Sequence, residues 1–468
     1  MAGNAAISDD MRWITRRSGV QLDLILCAVY TVMIIAGLYT RMASLAAFVL
    51  VALAFFCLPL ENIIGQLLYL LPFATVFKLG PSSTSLMTYL ELYVALLLVL
   101  RHPRFRLREL NVFLLLFASV LIGSVYADNL APLLIIKLFA SLLLFLCFKR
   151  SDHRKELPNY LTLMALGLLV SSAVAYAWRG SAILQRYIDF TRIVKLTADG
   201  YVTTRTVRFS GLGSDPNYYA VNLCIAIIGL LMLINYKRIQ HRTAAYGLVV
   251  GLVVFGLLTV SKSFLLMLVL ILLYAMASGI RQRRYGLTIL VVAAGAVLIL
   301  LALSGRSEAL NLMLMRLTQQ GTNQDLTTGR TEIWERYFTY LGEHPFGLVF
   351  GSGLGSAVIG FSAHNTYIEM LASLGVVGSG LFLVLLGCLM SETAGNEGQT
   401  AALRRRTGHR SLGNYSLLLV LLVMYFFLSM LTWIDLPFQL YLCFCFLHTE
   451  WKTPADTAEN AAPDGGSV

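Results

Sequence analysis

Charge is scarce in this chain of 468 residues: Asp, Glu, Lys and Arg make up 13% of it, against 57% hydrophobic residues, and the mean hydropathy is +0.73. That shortage excludes an ordinary soluble globular protein. Paired cysteine spacing is missing as well. The seven cysteines (Cys27, Cys57, Cys147, Cys224, Cys388, Cys443, Cys445) all fall inside apolar runs. This argues against a disulfide framework, and none has the spacing with histidines of a zinc site. A cleavable leader pattern is lacking: the apolar run from Val20 to Tyr39 has no small-residue cleavage site behind it and reads as a first span. No repeat of fixed period occurs, and the two halves show no matching Gly/Pro-broken spans, which weakens a transporter or flippase reading.

What is present is a succession of apolar runs from Val20 to His448, each long enough to cross a hydrocarbon core of about 30 Å. Backbone groups in lipid must be paired within their own segment, so these runs are expected to be helices. The fold class that follows is an all-α polytopic membrane protein with about 12 to 14 transmembrane helices and two long extracytoplasmic loops. Basic clusters at Arg12–Arg17, Arg101–Arg108, Lys149–Lys155, Lys237–Arg242, Arg281–Arg284 and Arg404–Arg410 sit between spans, and placing all of them in the cytoplasm satisfies the positive-inside rule. The expected organisation is a cytoplasmic start over 1–19, an N-terminal bundle over 20–178, a first outer loop over 179–217 and central helices over 218–304. A second outer loop over 305–365, C-terminal helices over 366–449 and a disordered cytoplasmic tail over 450–468 complete it. Within the bundle, the segment 61–78 contains Pro72 and is the weakest span.

Charged residues inside the spans are functional candidates by default: Asp23, Glu91 and Lys137, with Lys262 and Asp435 near the outer surface. The bland alternative for Glu91 and Lys137 is a structural pair. The first outer loop has a surplus of arginine and lysine, including Arg205 and Arg208, and so suits a phosphate-bearing partner or anionic lipid headgroups. It ends in Asp215-Pro216-Asn217, a helix-start signal that turns a free N-terminus outward, where an anion could bind. In the second loop, Ile333, Trp334, Tyr337, Phe338 and Leu341 have helical spacing. They predict an amphipathic helix at the interface with Trp334 and Tyr337 at headgroup depth. Arg330 at its N-terminal end opposes the helix dipole, and an external anion would account for it. Gly351-Ser352-Gly353-Leu354-Gly355 is compatible with phosphate binding or with a flexible turn. His364 opens a span where membrane meets outer medium; histidine suits proton transfer near neutral pH, and the bland alternative is an ordinary interfacial histidine.

From His364 the chain reads His-Asn, then Gly375 and Gly378, and this resembles the signature of the O-antigen ligase and polymerase superfamily. Arg208 to Asn217, the Ser261-Lys262 turn, Gly329-Arg330 to Trp334, His344-Pro345 and the glycine-rich stretch follow in the family's order, so the likeness covers about residues 200–390. The resemblance implies a GT-C-like, metal-independent membrane glycosyltransferase that needs no cofactor and faces outward from a bacterial inner membrane. It implies catalytic roles for His364, Arg330 and Arg208, the last with Arg205 one helical turn away. Substrate contacts would come from Arg205, Asn217, Lys262, Asn365 and Gly329, although Lys262 stands where the family usually has arginine. The implied partners are a polyprenyl-diphosphate-linked glycan donor, a glycan or lipid-glycan acceptor and membrane lipids, with a chain-length regulator and a flippase alongside. No nucleic acid is expected. The activities left open are a polymerase, favoured for its two lipid-linked substrates, and a ligase acting on an acceptor such as lipid A core.

Overall fold

The structure is a computed structural model that describes residues 22–78, 85–101, 106–150, 154–179, 209–213, 215–236, 241–281, 330–355, 362–390 and 412–449. It also describes a few positions between 181 and 202 and residues 238, 239, 360 and 451. Over these residues the apolar runs fold as helices, as lipid-facing backbone requires. The N-terminal half comprises α1 (Leu22–Tyr39), α2 (Arg41–Cys57), α3 (Leu60–Leu70), α4 (Leu86–Arg101), α5 (Leu107–Tyr126), α6 (Pro132–Arg150) and α7 (Leu157–Ala177). Next come a two-stranded antiparallel hairpin, β1 (Lys195–Thr197) with β2 (Gly200–Val202), and then α8 (Pro216–Asn235), α9 (Arg242–Leu258) and α10 (Lys262–Arg281). The C-terminal part comprises α11 (Arg330–Glu343), α12 (Pro345–Phe350), α13 (Thr366–Met390), α14 (Leu412–Phe426) and α15 (Leu436–His448). Among the described residues, α1, α5, α6, α7, α8, α10 and α13 are long and apolar enough to cross a membrane. The all-α polytopic fold is the one found, with the hairpin an unanticipated addition. The span expected over 286–304 and the tail after Trp451 lie outside the described residues.

One expected span is corrected. Segment 61–78 is not a continuous helix: α3 stops at Leu70, a 3-10 turn follows over Leu71–Phe73, and turns continue to a single bridge between Lys78 and Ser85. Pro72 supplies no N–H and cannot continue the ladder. The 11 residues of α3 rise only about 17 Å. A chain that breaks at that depth must be enclosed by protein or line a cavity, and here Ser171 Oγ donates to the carbonyl of Pro72 at 3.1 Å.

Helix α8 is the hub, buried along nearly its whole length and packed by α7, α9, α10 and α14. Helix α13 kinks at Gly375, whose φ of 69° is left-handed, and there it receives the turn after α12. Gly351, with φ of 86°, lies against the kink backbone to backbone: a Cβ on Gly375 would collide with the main chain of Gly351 and Val349, and one on Gly351 with that of Ser373 and Leu374. The glycine-rich stretch is therefore a packing device between α5 and α13, held further by Asn129 Nδ2 donating to Ser352 O at 3.0 Å. Helix α11 also differs from expectation. Part of its apolar face is buried in the protein: Tyr337 is 4% exposed and packs with Leu341 against Ala363 and Ala372, while Phe338 stays exposed. Trp334 Nε1 donates to Ala363 O at 2.9 Å, which fastens α11 to the start of α13.

The intramembrane charges separate into two kinds. Asp23 is buried in an amide knot: Oδ1 accepts from Asn62 Nδ2 at 2.8 Å and Gln66 Nε2 at 2.9 Å, and Oδ2 from Asn159 Nδ2 at 3.2 Å. A carboxylate so satisfied is structural. At the end opposite His364, Lys149 pairs with Glu109 at 3.2 Å and donates to Cys388 O at 2.7 Å. Arg101 there donates to Phe56 O at 2.6 Å and Leu58 O at 3.2 Å. The pair expected between Glu91 and Lys137 is not formed as an ion pair: both side chains line one cavity instead.

Candidate active site

The site is assembled where α8, α10 and α13 begin. Asp215 caps α8, its Oδ1 accepting from Asn217 N at 2.7 Å and Tyr218 N at 3.3 Å, with Pro216 in the first turn where no donor is needed. Asn217 Oδ1 accepts from Ser261 Oγ at 3.0 Å, which ties the start of α8 to the turn that opens α10 at Lys262. Asn365 caps α13 through Tyr367 N at 2.9 Å and Ile368 N at 3.2 Å, and it is buried. Both asparagines are thus engaged in holding helix starts. His364, one residue earlier, takes a left-handed φ of 48°. For a residue other than glycine that conformation costs on the order of 1–3 kcal/mol, and it persists because the cap on one side and the bond from His364 N to Ser362 Oγ on the other fix the turn. The side chain is left open to solvent.

A second layer clamps these starts together. The turn between α14 and α15 reaches across both: Tyr218 OH donates to Ser429 O at 2.7 Å, Ser362 Oγ to Ser429 Oγ at 3.0 Å, and Met430 N to Thr366 Oγ1 at 3.0 Å. The Tyr218 ring stacks on Trp433 at 3.8 Å between centroids. Ser429 and Trp433 had not been singled out from sequence. Their only signal there was a polar Trp-Ile-Asp turn between two apolar runs.

Electrostatics unite residues from three distant segments. Burial holds the Arg330 guanidinium below its usual value, while Asp215 and Tyr218 act the other way. Arginine nonetheless stays a cation, and among the described residues none forms an ion pair or hydrogen bond with it. On His364 the surrounding protein lowers the pKa, the Arg330 charge lowers it further, and Asp215 partly offsets both. The imidazole is therefore neutral near pH 7 and able to accept a proton. Arg330, His364, Asp215 and Tyr218 form one cluster. Lys262 lies at the start of α10. Arg205, Arg208 and Gly329 lie outside the described residues, although Phe209, next to Arg208, is anchored by its N–H to Leu258 O at 3.2 Å.

These observations define a polytopic helical membrane protein with a half-buried arginine beside a neutral histidine at one end of its bundle. Residues 247–383 match the family model described as O-antigen ligase, a stretch from α9 into α13 that contains both Arg330 and His364. The match covers less than a third of the chain, and it supports the O-antigen ligase and polymerase superfamily to which the motifs point. No curated protein and no solved structure matches.

Proposed function

We propose that the chain transfers a glycan from a polyprenyl-diphosphate donor to an acceptor hydroxyl at the outer face of a bacterial inner membrane. The observation that carries this reading is the juxtaposition of Arg330, without an ion-pair partner among the described residues, and His364, held neutral in a strained turn. In the transfer, the acceptor oxygen attacks the anomeric carbon, the bond from that carbon to the diphosphate oxygen breaks, and the diphosphate leaves with the electron pair. Arg330 faces the charge that develops on the departing oxygens, where a planar fork matches phosphate geometry. His364 takes the proton of the attacking hydroxyl. Arg208 is assigned a second contact to the diphosphate, and Lys262 and Arg205 lesser ones, on the resemblance alone. The basic loops at the opposite end support an outward-facing site.

Between the two activities, a polymerase that joins one lipid-linked glycan to another is the reading preferred, because two outer loops and a site at the membrane surface suit two lipid-linked substrates. A ligase acting on lipid A core is the second reading, favoured by the description of the matching family. Reconstitution of purified protein in liposomes with a polyprenyl-diphosphate oligosaccharide decides between them. Growth of product length identifies a polymerase, and transfer only when lipid A core is added identifies a ligase. Absence of both products sinks the transferase reading.

A further inference from the structure

A cavity of about 280 Å³ lies beside the cluster just described and shares Asp215 and Tyr218 with it. Its floor is the break after α3, over Leu71–Lys78, and its walls come from α4, α6, the start of α8 and the turn before α15. Neither the Lys78 nor the Lys137 ammonium forms an ion pair or hydrogen bond among the described residues, although both face this space. Glu91 is 3% exposed, and its Oε1 has no hydrogen-bond partner. Asp435, by contrast, is fixed by Asn222 Nδ2 at 2.8 Å and Trp433 Nε1 at 3.1 Å. Glu91 and Lys137 attract each other across the space without closing into an ion pair, and buried charge without a direct partner is costly, so the groups left over are two cations and one acceptor.

We propose that this cavity is a subsite for one acidic sugar residue of the acceptor glycan, with Lys78 and Lys137 holding its carboxylate and Glu91 accepting from a ring hydroxyl. The proposal rests on the glycosyl-transfer reading for its choice of glycan. Size supports a single ring, since the space falls just below the range of about 300–1,000 Å³ for sites that enclose a drug-sized molecule. Trp433 and Tyr218, stacked on one another, line the space together as an apolar wall with polar edges, which suits a sugar's C–H face. The starts of α4, α8 and α15 at Leu86, Pro216 and Leu436 turn positive helix ends toward this space. The shared wall at Asp215 places an occupant next to His364, where an acceptor hydroxyl has to be.

The full chain, purified in detergent, would be titrated with glucuronate, glucose and inorganic pyrophosphate while tryptophan fluorescence is followed. The chain has five tryptophans, so Trp433→Phe is included to assign the signal. The expected result is quenching by glucuronate that is absent in Trp433→Phe and weakened at least tenfold in Lys78→Met and Lys137→Met, with glucose binding more weakly. Should Lys137→Met fail to fold, Lys78→Met carries the comparison. Equal binding of glucose, indifference to both lysine substitutions, or no binding at all overturns the proposal. Displacement of glucuronate from the wild type by pyrophosphate also overturns it, because the lysines then serve a diphosphate. His364→Ala should bind glucuronate like the wild type, so binding is read independently of turnover.

Discussion

The two ends of the helix bundle hold similar side chains to opposite purpose. At the end bearing the basic loops, cations are consumed by the protein itself: Lys149 by Glu109 and the carbonyl of Cys388, and Arg101 by the last carbonyls of α2, while the His448 ring holds Met390 O through Nε2 at 2.7 Å. These contacts satisfy carbonyls that a helix C-terminus leaves without partners. At the other end, carboxylate and amide groups do the capping, as with Asp215 and Asn365, Lys78 and Lys137 face a cavity, and half-buried Arg330 has no ion-pair partner among the described residues. The lesson is that a charge in a membrane bundle is read by its partners. A cation with a carbonyl or carboxylate in reach is architecture, and one without a partner awaits a ligand.

The largest expected effect lies at the architectural end. Lys149→Met removes the ammonium from buried Glu109, and breaking a buried pair in this way costs about 3–5 kcal/mol. Thermal unfolding in detergent should show a large drop; an unchanged midpoint would mean that the pair is not structural. At the opposite end the effect should fall on turnover instead. His364→Ala is expected to remain folded and to bind donor while losing on the order of a hundredfold in rate. Near-normal turnover in monodisperse protein would remove the general-base assignment. Arg330→Lys keeps the charge and loses the fork, so the rate should fall about tenfold or more, equivalent to roughly 1.4 kcal/mol. Lysine serving as well as arginine would reduce Arg330 to a point charge.

The smallest effect is a shift in pH dependence. Since the protein around His364 and the Arg330 charge lower its pKa from 6.5, the active neutral form should persist below that pH and be lost as the pH falls through the lowered value. Asp215 raises the His364 pKa, and asparagine caps helices as well as aspartate does. Asp215→Asn should therefore leave α8 intact and move the acid limb of the rate profile to lower pH. A limb that moves upward, or does not move, would separate Asp215 from the cluster.

The sequence by itself determined a helical membrane bundle, the segregation of its basic loops, and the candidacy of Arg330 and His364. Hydropathy and charge are local properties, and a long unbroken apolar run in lipid pairs its backbone groups within itself as a helix. Pro72 marked the weak span, because a missing N–H is visible in one letter. What the tertiary structure decided is which surfaces meet. Lipid and protein interior are equally apolar, so nothing in the pattern of Tyr337 and Leu341 distinguished a headgroup-facing stripe from one docked on α13. Gly351 reads from sequence as a flexible turn or a phosphate contact, and only the fold sets its backbone against that of α13 at Gly375. The convergence of residues 215, 330 and 364, and the cavity that joins Lys78, Glu91 and Lys137, depend on long-range packing around α8, which no local periodicity encodes.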